Sequence, residues 1–223
     1  MIHKKLLIFN GSPRKKGTSF SFGRTLKILI EEAGHTAEIL HVIDFFDEKI
    51  SLEGLKYNIE KSDMIALVAP LYVDTLPYPV MWFLEKLAAD FQTDLRGKNF
   101  FAIGQCGFPD ITRNEPLIES CRLFAEETGM KWLGGLSYGG GAILNGKLVE
   151  NLGKEGRKIT AAFKLALEDA LQGKQISSKS QELITVKIPR ILLRPLAAFL
   201  NHQSRKLGKE NGIKDLTKKV YLE

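Results

Sequence analysis

Leu6-Leu7-Ile8-Phe9-Asn10-Gly11-Ser12-Pro13-Arg14-Lys15-Lys16-Gly17-Thr18-Ser19 is the stretch on which the reading of this chain turns. Four apolar residues have the character of a buried strand, and they run directly into a loop of Gly, Ser, Pro, Arg and Lys. Thr18 and Ser19 close that loop with residue types that cap helices. Beyond them Phe22, Leu26, Leu29, Ile30 and Ala33 share one helical face, and Gly34 stands where a helix stop belongs. A strand, a polar loop and a helix N-terminus together form an anion site, because the first-turn N–H groups and the positive end of the helix dipole face the loop. Ser12, Thr18 and Ser19 add hydroxyl donors, and Arg14 adds a planar two-pronged donor suited to phosphate. The alternative is a surface turn with helix caps.

What the loop lacks narrows the phosphate chemistry. A nucleoside-triphosphate loop needs Lys directly after its last Gly, and here Gly17 precedes Thr18. The dinucleotide fingerprint needs three glycines at G-x-G-x-x-G spacing, and only Gly11 and Gly17 are present. A phosphatase loop would carry a nucleophilic Cys, and this one has none. The reading that survives is a loop that binds a phosphate monoester without attacking it.

The remainder of the chain alternates between strand and helix patterns. Strands are expected over 37–43, 64–69, 100–104 and 132–138. The run Met64-Ile65-Ala66-Leu67-Val68-Ala69 is continuous apolar sequence, as in a strand covered on both faces. Helices are expected around Leu52, Leu55 and Ile59, and from Val80 to Phe91 behind Pro77 and Pro79. Two more follow, one from Pro116 to a stop at Gly129 and one carrying Ile159, Ala162, Phe163, Ala166, Leu167 and Ala170. Five strands separated by helices predict an α/β fold, a doubly wound parallel sheet with helices on both faces.

At 223 residues and 44% hydrophobic content, the chain can bury one sizeable core with room for an appendage. No run reaches the ~20 apolar residues of a membrane span, and the apolar run after Lys4-Lys5 is too short for a signal peptide. Cys106 and Cys121 are too few for a disulfide framework, a zinc site or a four-cysteine iron–sulfur cluster. His3, His35, His41 and His202 show no ligand spacing, so no metal site is expected. The cytoplasm is the default compartment.

Gly11-Ser12-Pro13-Arg14 followed by Gly17-Thr18-Ser19 resembles the first loop of the NAD(P)H-dependent FMN reductases of the flavodoxin-like superfamily. Pro70-Leu71-Tyr72-Val73-Asp74-Thr75-Leu76-Pro77 and Gly107-Phe108-Pro109-Asp110 fit the same resemblance, which runs from residue 2 to about 173. It implies a five-stranded sheet in the order 2-1-3-4-5, with FMN held at the carboxyl ends of the strands. The loops after strands 1, 3 and 4 are neighbours in that order, and they are the three that carry the unusual residues. The cofactor-binding set so implied is Ser12, Arg14, Gly17, Thr18 and Ser19 for the 5′-phosphate, with Pro70, Leu71, Tyr72, Val73, Cys106, Gly107 and Phe108 around the ring. Relatives often place Asn where this chain has Gly17, which implies one fewer side-chain contact to the phosphate. Asp74 reads as a cap for the following helix and Cys106 as a small packing residue, while Gly139-Gly140-Gly141 is open between a flap and a tight turn.

The resemblance also implies the reaction. A nicotinamide, NADPH or NADH, passes hydride to flavin N5 and leaves, and a small-molecule or protein acceptor takes its place. No catalytic side chain is required, in keeping with the lack of any His/Asp or Cys/His constellation. The competing class is a flavodoxin-type electron carrier without nicotinamide activity. Such carriers present acidic docking surfaces, whereas residues 1–173 hold 21 basic and 22 acidic residues, which favours the enzyme.

Residues 1–173 therefore read as a flavodoxin-like FMN-binding domain, and 174–223 as a basic amphipathic arm with 11 basic and 4 acidic residues. Gln175 to Gln181 reads as a polar linker. Pro195 is expected to open a helix with Leu196, Phe199, Leu200 and Leu207 on one face, and Ile213, Leu216 and Val220 repeat the pattern. Such an arm can clasp a partner subunit, lie on an anionic membrane or bind nucleic acid. Nucleic acid is set aside because only Phe199 and Tyr221 could stack. The expectation is an arm packed across a two-fold homodimer, with its own subunit or a membrane surface as alternatives.

Overall fold

The apolar runs form strands because their alternate residues can be buried on opposite faces of one sheet. In the computed structural model, which describes residues 3–185 and 190–213, the strands are β1 (Lys5–Asn10), β2 (Thr36–His41), β3 (Met64–Pro70), β4 (Asn99–Cys106) and β5 (Lys131–Gly139). All pairings are parallel, and the order is β2-β1-β3-β4-β5. This is the flavodoxin-like doubly wound sheet. The helices are α1 (Thr18–Glu32), α2 (Val42–Phe46), α3 (Glu53–Glu60), α4 (Tyr78–Asp90), α5 (Gln92–Leu95), α6 (Glu115–Thr128), α7 (Gly141–Leu144), α8 (Gly153–Leu171), α9 (Ser178–Ile184) and α10 (Arg190–Glu210).

The two-residue period of the strands makes two cores. Leu6 and Ile8 of β1, Ala66 and Val68 of β3, and Phe101 and Ile103 of β4 face α1 and α8. Leu7 and Phe9, Ile65 and Leu67, and Phe100 and Ala102 face the other way, toward Phe83, Leu84 and Leu87 of α4 and Leu117 and Cys121 of α6. Phe22 is the centre of the first core, fully buried and edge-on to both Tyr138 (5.2 Å) and Phe163 (5.3 Å). Gly34 (φ 82) and Gly129 (φ 69) follow their helices in the left-handed conformation that stops a helix.

Three local expectations change. The second strand ends at His41 rather than 43, because Val42 and Phe45 turn into α2 and are buried beneath α4. The stretch read as a polar linker holds the short helix α9. The expected boundary after residue 173 lies instead between two compact units, Met1–Val186 and Lys187–Glu223. Residues 174–185 stay with the first unit because β5 is an edge strand with free backbone groups. The Gln181 side chain accepts from Ser137 N at 2.7 Å and donates to Ser137 O at 2.8 Å, and Ile176 N–H donates to Leu133 O at 2.7 Å. Ile184 is buried with the first core.

The second unit contains α10. Its helix begins before Pro195, which lies inside it near the N-terminus, where few backbone bonds are lost. Leu216 and Val220, expected to repeat the apolar pattern, lie outside the described residues. Among the described residues no helix is long and apolar enough to cross a membrane, and no group of His, Cys, Asp and Glu could hold a metal ion.

Phe22→Ala should destabilise the first unit by about 3–5 kcal/mol, the usual cost of emptying a packed aromatic site. A denaturant titration measures it, and a loss below about 1 kcal/mol would mean that Phe22 is not a core residue.

Candidate functional site

The loop after β1 starts in a tight place. Gly11 N–H donates to Val68 O at 2.9 Å, and a Cβ on Gly11 would lie 2.9 Å from both Ala69 Cβ and Val80 Cγ2, so β3 and α4 leave room only for glycine. The chain then folds on itself. Asn10 Oδ1 accepts Ser12 N–H at 3.3 Å, Ser12 Oγ accepts Arg14 N–H at 3.2 Å, and Arg14 O accepts Gly17 N–H at 3.2 Å. Lys15 reaches Asp44 in the first turn of α2 at 2.5 Å, pinning the loop's outer side to a largely buried carboxylate.

Gly17 is the N-cap of α1, without a side-chain cap. Thr18 and Ser19, expected to cap, are instead its first helical residues. Among the described residues, the N–H groups of Thr18, Ser19 and Phe20 have no protein acceptor. They are the free donors of a helix N-terminus. Ser12 is buried beside them with its hydroxyl proton uncommitted, and the Arg14 side chain is exposed and unpaired among the described residues.

Thr18 does something the sequence did not announce. Its hydroxyl donates to Gly141 O at 2.9 Å and accepts Gly146 N–H at 3.4 Å, while Ser21 Oγ donates to Lys147 O at 2.9 Å. Gly146 (φ 73) fits only because it lacks a Cβ, which would lie 2.5 Å from Lys16 O. Gly139-Gly140-Gly141, left open between flap and turn, thus begins a segment that runs on to Lys147 and clasps the β1 loop. Thr18 cannot also offer its hydroxyl proton to an anion, so its place in the predicted set narrows to its backbone N–H.

The loops after β3 and β4 meet at Gln105, a polar residue near the end of a mostly apolar strand that sequence reasoning passed over. Its backbone O accepts Leu71 N–H at 2.8 Å, and its Nε2 donates to Ser19 Oγ at 3.5 Å. A Cβ on Gly141 would lie 1.9 Å from Gln105 Oε1, so that glycine makes room for the amide. Gln105 thus touches the β3 loop, the start of α1 and the segment after β5.

Pro70 is buried at the end of β3 and Leu71 is half-buried beyond it. Tyr72 and Thr75 exchange N–H to O bonds at 2.9 and 3.2 Å across a two-residue turn, in which Val73 (φ 47) and Asp74 (φ 61) are both left-handed. Asp74 is consequently at a turn tip and caps nothing; Pro77 occupies the N-cap of α4. A β-branched residue at positive φ is strained, and Val73 is also 97% exposed. After β4, Phe108 is 67% exposed, and a Cβ on Gly107 would lie 3.4 Å from Ala142 Cβ. The Cys106 thiol turns inward and donates to Phe108 O at 3.2 Å, and burial pushes it above its ordinary pKa. It braces the loop as a neutral packing group. Phe108 O also accepts Gly140 N–H at 2.7 Å, joining this loop to the clasp.

At the outer edge, Asn10 Nδ2 lies 2.9 Å from His41 Nδ1, and Phe20 stacks on the His41 ring at 5.6 Å. Burial, opposed by Asp44 and aided by Lys15, holds His41 below its ordinary pKa, so it is neutral near pH 7.

A strand–loop–helix junction with free N–H donors is thus joined to two loops that present exposed apolar side chains. Residues 4–110 match the family described as NADPH-dependent FMN reductase. The match spans β1 to the loop after β4, and so contains all three loops predicted from the resemblance. No curated protein matches the chain. Among solved structures, general stress protein 14 of Treponema denticola, in complex with FMN, is 14% identical with a TM-score of 0.55, over 76% of this chain and 99% of that one. An NADH:FMN oxidoreductase in its apo form is 15% identical with a TM-score of 0.55, over 85% and 98%. An NAD(P)H:quinone oxidoreductase of Methanothermobacter marburgensis is 15% identical with a TM-score of 0.54, over 75% and 97%. These likenesses establish the flavodoxin-like fold.

Two substitutions probe the site's construction. Thr18→Val strips the partners from Gly141 O and Gly146 N–H and should cost about 1–3 kcal/mol, with faster amide exchange over 141–147 than elsewhere. Val73→Asn keeps the turn but removes the β-branch at positive φ, and should raise stability by about 1 kcal/mol in a thermal melt.

Proposed function

We propose that this chain is an FMN-dependent NAD(P)H oxidoreductase that passes electrons from NADPH or NADH to a small-molecule or protein acceptor. The observation that carries the reading is the trio of free N–H groups at Thr18, Ser19 and Phe20, set beside Ser12 and Arg14 within the stretch that matches FMN reductases. The donor set fits a phosphate monoester: backbone N–H groups, one hydroxyl, one guanidinium and the positive end of a 15-residue helix.

The roles follow from the chemistry of each residue. Thr18, Ser19 and Phe20 donate backbone N–H groups to the phosphate, Ser12 adds its hydroxyl proton, and Arg14 adds a charge-assisted pair of bonds. Gly17 admits the phosphate close to the backbone. Leu71, Tyr72, Val73 and Phe108 offer apolar surface to a flat ring, and Gly107 allows close approach of the backbone. Pro70 and Cys106 hold those loops from beneath. FMN, when bound, supplies the hydride-accepting and electron-donating chemistry, so no side chain need act as acid, base or nucleophile. The neutral, inward-turned Cys106 thiol agrees with that.

Arg14→Ala should weaken FMN binding roughly ten- to hundredfold, the worth of a charge-assisted hydrogen bond, whereas Lys16→Ala should change it far less. Inorganic phosphate should compete with FMN. Fluorescence titration of the apo-protein reads both, and indifference to FMN at high micromolar concentration would end this reading. Anaerobic stopped-flow absorbance then separates enzyme from carrier. The enzyme bleaches within seconds of adding a nicotinamide, while inertness to both NADH and NADPH points to a one-electron carrier.

A further inference from the structure

The second unit offers a surface that the proposed reaction does not use. Helix α10 has five basic residues, Arg190, Arg194, Arg205, Lys206 and Lys209, against one acidic residue, Glu210, at its last position. Among its described side chains the large apolar ones are exposed: Ile191 is 83% exposed, Phe199 56% and Leu207 61%, and Leu192 and Leu200 are exposed as well.

Helical spacing divides these residues into two faces. Leu192, Phe199 and Leu200 lie one or two turns apart on one side, and Leu207 continues that stripe two turns on. Arg194, Asn201, Arg205 and Gly208 follow the same spacing on the opposite side. Because the helix starts at Arg190 rather than at Pro195, the apolar stripe from Leu192 to Leu207 runs along most of its 21 residues, about 23 Å at 1.5 Å per residue.

We propose that α10 is a membrane-surface helix that lies in the interface of an anionic bilayer, its Leu192–Phe199–Leu200–Leu207 stripe in the acyl boundary and its cations on the lipid headgroups. The charge pattern selects this occupant over a second copy of the chain. A protein clasp gains specificity from charges of both signs, whereas a one-sign set of five cations beside an apolar stripe matches a surface that is uniformly negative. The helix is not a span, since none of the described helices is long and apolar enough to cross a membrane. This inference does not depend on the FMN reading.

The full-length protein should sediment with phosphatidylcholine vesicles that contain about a quarter phosphatidylglycerol, at least tenfold more than with phosphatidylcholine alone. High salt should reduce the difference. Phe199→Ser with Leu207→Ser should lower binding to the anionic vesicles about tenfold or more, and Arg205→Glu with Lys206→Glu should do the same without touching the apolar stripe. Far-UV circular dichroism and the thermal transition of the first unit should be unchanged in both variants. The proposal is overturned if the full-length protein stays in the supernatant, or if both variants sediment like the parent. It is equally overturned if light scattering shows a vesicle-indifferent dimer that either variant turns into monomer, because the stripe then serves a second copy.

Discussion

The site depends on Gly11 leaving β1 hard against β3. Its N–H is bonded to Val68 O, and no side chain fits between it and Ala69 and Val80. In a sheet ordered β2-β1-β3-β4-β5, β1 sits where the chain reverses its direction of winding, so the loops after β1 and β3 diverge to opposite faces and leave a crevice between them. Pinning Gly11 there sets where the loop can turn and where α1 can begin. Among the described residues, the first-turn N–H groups of α1 are consequently left without protein acceptors, next to Ser12.

Holding that loop open without filling its donors requires support from elsewhere, and the support comes from residues far apart in the chain. Lys15 ties the outer side to Asp44, Thr18 ties the inner side to Gly141 and Gly146, and Gln105 joins Ser19 to the β3 loop. The Thr18 and Gln105 contacts give partners to Gly141 O and to the buried Ser19 hydroxyl, so they stabilise the unit while holding the loop in place. Three glycines, at 11, 141 and 146, are placed where a Cβ would collide with a neighbouring strand, side chain or backbone oxygen. The strain at Val73 has no such local explanation; it presents an apolar side chain outward beside the crevice.

The two units follow different physical rules. In the first, a continuous core on each face of the sheet and the stitching of α9 to β5 leave few large apolar side chains exposed away from the crevice. In the second, the large apolar side chains described on α10 are exposed, and burial of such a stripe is worth ~1.5–3 kcal/mol per large side chain when a surface covers it. A helix of that kind takes its stability from what it lies against.

The amino-acid sequence by itself determined the class of fold and the place of the donor-rich loop ahead of α1. Continuous apolar runs such as Leu6 to Phe9 and Met64 to Ala69 can be buried only in a sheet covered on both faces, and the loop from Gly11 to Gly17 declares its donors locally. Gly34 and Gly129 marked helix ends for the same local reason. Only the tertiary structure decided which of those donors stay free. Thr18 looks like a phosphate-binding hydroxyl until a loop more than a hundred residues later takes it, Asp74 looks like a cap until the turn lifts it away, and Gln105 looks ordinary until three segments converge on it. The physical reason is that hydrogen-bond capacity is written in the residue, whereas the partner that consumes it is set by which chain segments the sheet brings together.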